Sequence, residues 1–397
     1  MEIFEQEIMK RVSHSDWGRV REKLDELPPI WKMQNGIHLV TGYGEACDLL
    51  SSKKVSSEFI SKLSNEVIRF SKIDRINDII RASFALKDGL RHAKLRELVA
   101  PIFVHKKFND IFSAIDIDAQ NLIKDVLLKG DIFDPIESLA KRLPILTNCQ
   151  ILGIPYSEES KLRAMTDALV AEIEFDVEKR NEPELLDLIH FIDSFKSGIA
   201  PDWIKPLVMS LHSGDISDLD FESTILLLMI SGYGTATSGI GAAIATLFSQ
   251  EKARNHLRSG QYTTEGFIYE ALRLSPPVSI LARTAAEDIE FNGSKIPKDG
   301  VVLIHVSACC RDPNFFDNPH LFNPKRSNKA QLIFGGGPHF CLGRIVGLRQ
   351  IEASVNALLN LPLTMTIPFE EISYNPFKII QGPLTLPLQY HHREMLA

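Results

Sequence analysis

The chain has 397 residues, 44% hydrophobic and 24% charged, the proportions of an ordinary water-soluble protein with enough mass for a sizeable core. The 44 Lys and Arg against 51 Asp and Glu leave a net charge of −7, which argues against a general nucleic-acid binder. The start, Met1-Glu2-Ile3-Phe4-Glu5, is acidic and lacks the apolar core of a signal peptide, and no apolar run is read as long enough to span a membrane, so a cytoplasmic location is expected. Five scattered cysteines (Cys47, Cys149, Cys309, Cys310, Cys341) form no CxxC pair and no disulfide framework; four read as small buried hydrophobes.

A charged helix is expected to about Asp25, broken by Pro28-Pro29. Trp31–Met33 and His38–Thr41, around Asn35-Gly36, read as a β-hairpin. A short helix follows from Tyr43 to Leu50. Residues 55–86 are mixed in character; Ile68, Phe70, Ile80 and Phe84 are either core positions or faces toward a ligand. Asp88 opens a helix running to Phe103. On it His92 and Arg96 stand four apart and so share a face, suited to paired carboxylates although such a pair is more often solvated.

Helical patterns continue over 108–128 and 136–152. Several amphipathic helices lie between 157 and 212, broken near Asn181-Glu182-Pro183 and at Gly198–Pro201. Asp218, Asp220 and Glu222 suit a helix start. One long helix is expected from Phe221 to about Phe248, apolar nearly all round and therefore buried. It contains Ser231-Gly232-Tyr233-Gly234-Thr235, then Gly239 and Gly241. An interior glycine costs about 1 kcal/mol relative to alanine. Close packing accounts for Gly239 and Gly241, whereas the first cluster suits a locally opened helix with room for a small molecule.

Thr264–Leu274 is the next helix, carrying Glu270 and Arg273 on one face, stopped by Ser275-Pro276-Pro277. Val278–Arg283 should be extended, followed by short antiparallel strands to Ser307. Phe322-Asn323-Pro324-Lys325-Arg326 comes next. The stretch Phe334-Gly335-Gly336-Gly337-Pro338-His339-Phe340-Cys341-Leu342-Gly343 precedes a helix from Arg344 to Leu359. Its glycines allow a tight turn with exposed N–H groups, and a cysteine just before a helix N-terminus is biased toward thiolate. A thiolate among backbone donors is a good iron ligand. The tail carries an expected hairpin, 377–380 with 384–388, around Gly382-Pro383.

Phe-x-x-Gly-x-His-x-Cys-x-Gly, His92-x-x-x-Arg96, Glu270-x-x-Arg273 with Arg326, and the small-Gly-x-x-Thr run at 231–235 occur together in an order that resembles the cytochrome P-450 family. The resemblance extends over nearly the whole chain. It implies a single haem-thiolate domain, 1–397, mostly α with a minor antiparallel β portion, holding haem b (iron protoporphyrin IX). Cys341 is then the axial iron ligand. His92, Arg96, Arg283 and His339 hold propionates, with Phe334 and Gly343 beside the thiolate. Glu270, Arg273 and Arg326 are scaffold residues. Thr235, Gly234 and Gly232 face the distal side, and Phe84, Tyr233, Val278, Ile280 and Ile379 line the substrate pocket.

The family usually has an acid before the threonine; here Gly234 stands there and cannot titrate. The implied reaction is oxidation of a small organic substrate, free or carrier-bound, in specialised biosynthesis. It uses dioxygen and electrons from a separate ferredoxin and ferredoxin reductase, with no nucleic-acid or membrane partner. Arg344 and Arg349 could dock the ferredoxin, although ordinary solvation is the commoner role of such residues. Gly234 keeps peroxide- or nitric-oxide-using chemistry and oxidative coupling or ring formation open. A non-enzymatic haem-binding module is disfavoured by Cys341, His339, Glu270 and Arg273.

Overall fold

The computed structural model describes residues 27–59, 68–103, 108–197, 200–291, 293–327, 330–374 and 380–392. The helix expected to Asp25, and Ile379, lie outside the described residues. In chain order the elements begin with β1 (Ile30–Lys32), β2 (His38–Val40), α1 (Tyr43–Ser51), α2 (Asp74–Ala82), α3 (Gly89–Val99), α4 (Phe108–Leu127), β3 (Ile132–Phe133) and α5 (Arg142–Leu152). They continue with α6 (Glu159–Ile173), α7 (Glu182–Ser194), α8 (Lys205–His212), α9 (Asp218–Ile230), α10 (Gly234–Ser249), α11 (Glu251–Arg258) and α12 (Thr264–Leu274). The last are β4 (Ile280–Ala285), β5 (Ile289–Phe291), β6 (Ser294–Ile296), β7 (Val301–His305), α13 (Arg344–Leu359), β8 (Leu363–Met365) and β9 (Leu388–Tyr390). The protein is mostly α with small sheets, as its sequence implied.

The residues fall into two compact units. The first comprises the described parts of Met1–Lys54, Ser113–Pro144 and Thr235–Ala397. Its main sheet contains β1, β2, β7 and β4 in that order. The β1–β2 hairpin is antiparallel, pairing Ile30 with Val40 around Gly36, whose φ of +84° suits glycine. β2 runs parallel to β7, and β4 is antiparallel to β7. Met33, Leu39, Leu303 and Ala308 form a buried cluster over this sheet, flanked by Trp31, Ile280 and Val301.

A second sheet has the order β3-β9-β8. The expected tail strand over 384–388 is therefore corrected: the strand starts at Leu388, which pairs with Phe133 and Met365. Pro383 and Pro387 have no N–H to give a ladder. Ile380 instead forms an isolated antiparallel bridge with Val278, and Gln381 N–H donates to Pro277 O at 2.7 Å.

α10 is buried on most of its surface. A Cβ at Gly239 would stand 2.9 Å from Ile351 Cδ1, and one at Gly241 2.8 Å from Pro383 Cγ, so these two glycines serve close packing. α12 begins on Thr263, whose hydroxyl accepts from Gly266 N–H at 3.1 Å.

The second unit comprises the described parts of Val55–Phe112 and Ile145–Gly234. α9 starts with a capping box: Ser217 Oγ accepts from Asp220 N–H, and Asp220 Oδ2 accepts from Ser217 N–H, each at 3.1 Å. α7 is capped by Asn181 with Pro183 in its first turn. Buried Asn77 on α2 accepts from Phe70 and Ser71 N–H and donates to the Ser71 and Ile73 carbonyls, holding the preceding loop. Glu222, buried on α9, is met by Arg75 Nη2 at 2.5 Å and Lys196 Nζ at 2.6 Å.

Asp218–Ser249 taken together is apolar and long enough to cross a membrane by length and composition, contrary to the sequence expectation. No charged residue follows Glu222 within it, and the intervening Gly, Ser and Thr lower its hydropathy only modestly. Most of its apolar window is buried inside the protein, as in a core helix.

His38 is the one polar residue of β2. It is 1% exposed, and both ring nitrogens lack a well-formed hydrogen bond. Burial pulls its pKa below the ordinary 6.5, with Lys32, opposite it on β1, acting the same way. The folded state thus favours neutral imidazole. Its contribution is complete above about pH 6.5 and is lost as pH falls toward the folded pKa. Denaturant melts between pH 7.5 and 5 should show stability falling, and His38→Leu should flatten that slope; an unchanged slope in the variant would refute the assignment.

Candidate active site

The cysteine stretch folds as two short 3₁₀ turns, Gln331–Phe334 and Gly337–His339, leading into α13. Gly335 (φ +76°) and Gly337 (φ +59°) occupy the left-handed region. A Cβ on Gly337 would collide with the carbonyl of Leu50, at the end of α1, and one on Gly336 would press Leu50 Cβ at 3.0 Å. Glycine is thus required for the loop to lie against α1.

Cys341 N–H donates to Phe334 O at 2.8 Å, closing the loop, and Gly343 caps α13. Cys341 is exposed, whereas Cys149, Cys309 and Cys310 are buried and Cys47 is half-buried. Burial pushes the Cys310 thiol up to about 12 and raises that of Cys309, so these two remain thiols.

Arg344 holds the loop from its helix side. Its Nη1 donates to Tyr269 Oη at 3.0 Å, and its guanidinium lies 6.0 Å from the Phe334 ring centre and 5.9 Å from that of Phe340. Tyr269 stands edge-on to Phe334 at 6.1 Å. Arg349 is paired with Asp116 and with Glu352, the latter at 2.8 Å. Both arginines are half-buried and bonded within the protein, so each is held more firmly than a purely solvated cation.

Glu270, Arg273 and Arg326 meet in one buried cluster. Arg273 donates Nε to Glu270 Oε2 and Nη2 to Oε1, both at 2.7 Å, a bidentate pair. Arg326 Nε reaches Oε1 at 3.0 Å, and Asn323 N–H adds a bond at 2.8 Å. The remaining guanidinium donors satisfy the carbonyls of Cys310, Pro319, Leu321, Asp317 and Asn318. The cluster therefore ties α12 to the segment 310–326.

Of the other residues singled out in the first unit, Arg283 is half-buried on β4, with Nη1 donating to Ala282 O at 2.8 Å. Ile280 begins the same strand, Val278 bridges to Ile380, and half-buried His339 ends the second 3₁₀ turn. Thr235 is the second residue of α10.

In the second unit, His92 is buried on α3 with half-buried Arg96 one turn on, and the Phe84 ring lies 6.1 Å from His92. The expected single helix over 221–248 is interrupted: α9 ends at Ile230, 231–233 form a turn, and α10 begins at Gly234. Tyr233 N–H donates to Ile230 O at 3.0 Å, and buried Asn148 donates Nδ2 to Met229 O at 2.6 Å. Tyr233 is buried, with its hydroxyl donating to Asp167 Oδ1 at 2.7 Å. Asn148, Tyr269 and the inward role of Arg344 had no signal in the sequence, because each depends on partners distant in the chain.

The family model described as Cytochrome P450 matches residues 207–361. Over 357 residues the chain is 26% identical to the polyketide biosynthesis cytochrome P450 PksS of Bacillus subtilis, covering 88% of each protein. It is 26% identical over 391 residues to 6-deoxyerythronolide B hydroxylase of Saccharopolyspora erythraea, covering 95% of this chain and 96% of that protein. The crystal structure of CalO2 shares the fold, with a TM-score of 0.86 at 20% identity over 95% of this chain and 96% of that one.

A cysteine loop of this kind on this fold defines a haem-thiolate oxidoreductase of the monooxygenase class. Residues 207–361 match the cytochrome P-450 family model, and the relatives similar over most of the chain are cytochromes P-450, a family whose cofactor is haem b. The loop's chemistry fits that group: an exposed thiol at a helix N-terminus, on a backbone fixed by glycines, with aromatic rings beside it.

Removing one partner from a buried, hydrogen-bonded ion cluster leaves uncompensated charge and costs about 3–5 kcal/mol. Glu270→Ala should lower unfolding free energy by that order in denaturant titration. Arg273→Lys, which keeps the charge but loses the bidentate fork, should lose less. Equal losses in the two variants would count against the bidentate geometry as the source.

Proposed function

We propose that the protein inserts oxygen into a small organic molecule of specialised biosynthesis, using dioxygen and electrons from a separate ferredoxin-type donor. The observation that carries the reading is the Cys341 loop: one exposed cysteine on a glycine-fixed turn at the start of α13. The biosynthetic setting is supported by the relatives named for polyketide biosynthesis and for hydroxylation of 6-deoxyerythronolide B.

Haem b held by a thiolate supplies reductive activation of dioxygen when bound. In this reading Cys341 is the iron ligand, with Phe334 and Gly343 shaping its surroundings. His92, Arg96, Arg283 and His339 hold the propionates as hydrogen-bond donors and cations. Thr235 offers a hydroxyl that both donates and accepts, holding a proton at Oγ1, while Gly232 and Gly234 leave space beside it. Phe84, Tyr233, Val278 and Ile280 orient the substrate, which is free or carrier-bound. One haem domain spans the chain.

Gly234 favours a second reading in one respect: no carboxyl stands before Thr235, and peroxide chemistry arrives with its protons already on oxygen. Supplying hydrogen peroxide separates the two, since turnover with peroxide but none with ferredoxin, reductase and dioxygen selects the second.

The reduced wild-type holoenzyme should give a thiolate-type Soret band with carbon monoxide. Cys341→Ser should abolish that band and turnover while leaving the circular dichroism of the fold in place. A thiolate-type band persisting in Cys341→Ser would sink the ligand assignment.

A further inference from the structure

We infer that Asn148 and Tyr233 are positioning residues that hold the distal helix open at 231–233, so that the opening is built into the protein rather than induced by a ligand. The inference deepens the haem-thiolate reading and rests on it for its functional meaning.

In a continuous α-helix the carbonyl of Met229 would accept the N–H of Tyr233, four residues on. Here that carbonyl is taken by Asn148 Nδ2 at 2.6 Å, and Tyr233 N–H turns to Ile230 O at 3.0 Å. Asn148 lies on α5 and is 3% exposed. In the open turn this carbonyl serves the buried amide, which would cost about 1–3 kcal/mol as an orphaned donor if the closed helix drew the oxygen away from it. The broken helix and the buried amide therefore satisfy each other.

Tyr233 supplies a second anchor. Its side chain is 5% exposed and its hydroxyl donates to Asp167 Oδ1 at 2.7 Å on α6. Asp167 is also paired with Arg163, one turn earlier, at 3.6 Å. Both ends of the residue that leaves the helix are thus committed: its N–H to Ile230 and its hydroxyl to Asp167. A Cβ at Gly232 would meet Asn148 Oδ1 at 3.5 Å, an ordinary contact, so packing against Asn148 does not by itself demand glycine there.

The turn ends where α10 starts, at Gly234, one residue before Thr235 in the chain. Gly234 contributes no side chain, so proton handling at this point falls on the placement of Thr235 Oγ1.

The test uses the holoenzyme, with carbon monoxide as the probe of the distal side. Asn148→Leu removes the donor and frees Met229 O. Amide exchange in a peptide spanning 229–235 should slow about tenfold as the helix closes, and the C–O stretch of the reduced carbon monoxide complex should shift. Asn148→Gln, which restores an amide, should move both readouts back toward wild type. Tyr233→Phe, which loses only the hydroxyl that anchors the turn, should likewise slow exchange in the same peptide and serves where Asn148→Leu does not fold.

If Asn148→Leu folds with exchange and stretch both unchanged, or Tyr233→Phe leaves exchange unchanged, the positioning role is wrong. Loss of the thiolate-type Soret band in the wild type would overturn the reading of Cys341 instead, while the exchange experiment still decides the helix opening by itself.

Discussion

A single buried carboxylate underlies the proximal half of the molecule. Glu270 is 4% exposed and is tolerable there because two guanidiniums and a backbone N–H neutralise and bond it. Such a cluster adds little net stability over a well-packed apolar core; its value lies in geometry, since the donors fit in one arrangement. That arrangement locks the register of α12 against 310–326. Tyr269, the neighbour of Glu270, then presents its hydroxyl to Arg344, whose guanidinium spans the two aromatic rings of the cysteine loop. A buried charge cluster and the cysteine loop are thus linked through one tyrosine.

The cysteine loop and the helix opening use opposite means. Glycines shape the loop, permitting left-handed backbone and close approach to Leu50, information carried locally by the residue types themselves. A side chain from another helix shapes the opening at 231–233: Asn148 competes for a carbonyl that the helix would otherwise keep. Backbone permissiveness makes the first possible, and hydrogen-bond competition makes the second stable.

This difference explains what was legible in the sequence. The Asn35-Gly36 hairpin, the break near Asn181-Glu182-Pro183 and the Gly-rich cysteine stretch are local signals, and each appears where the chain places it. Glu270 and Arg273 are three apart on one helix and equally readable. The glycines at 231–235 signalled a loosened helix, but neither where it breaks nor what breaks it, because Asn148 is far away in sequence. The contacts of Arg344 and Arg349 were not readable for the same reason: Tyr269 and Asp116 meet them only after folding. The tail strand was misplaced because alternating apolar residues at 384–388 satisfy a strand pattern, whereas prolines at 383 and 387 leave Leu388 as the first to join a ladder.

The close fit of Gly337 on Leu50 bears on the order of assembly. α1 and the cysteine loop are far apart in the chain, so the seat for the loop and the segment that occupies it are joined by a long intervening stretch. Non-local contacts of this kind slow folding, because the entropy of closing a long loop is paid before the contact repays it. The backbone around Cys341 takes its final shape only when these two distant segments meet, so the cysteine's setting reports on the completeness of the fold.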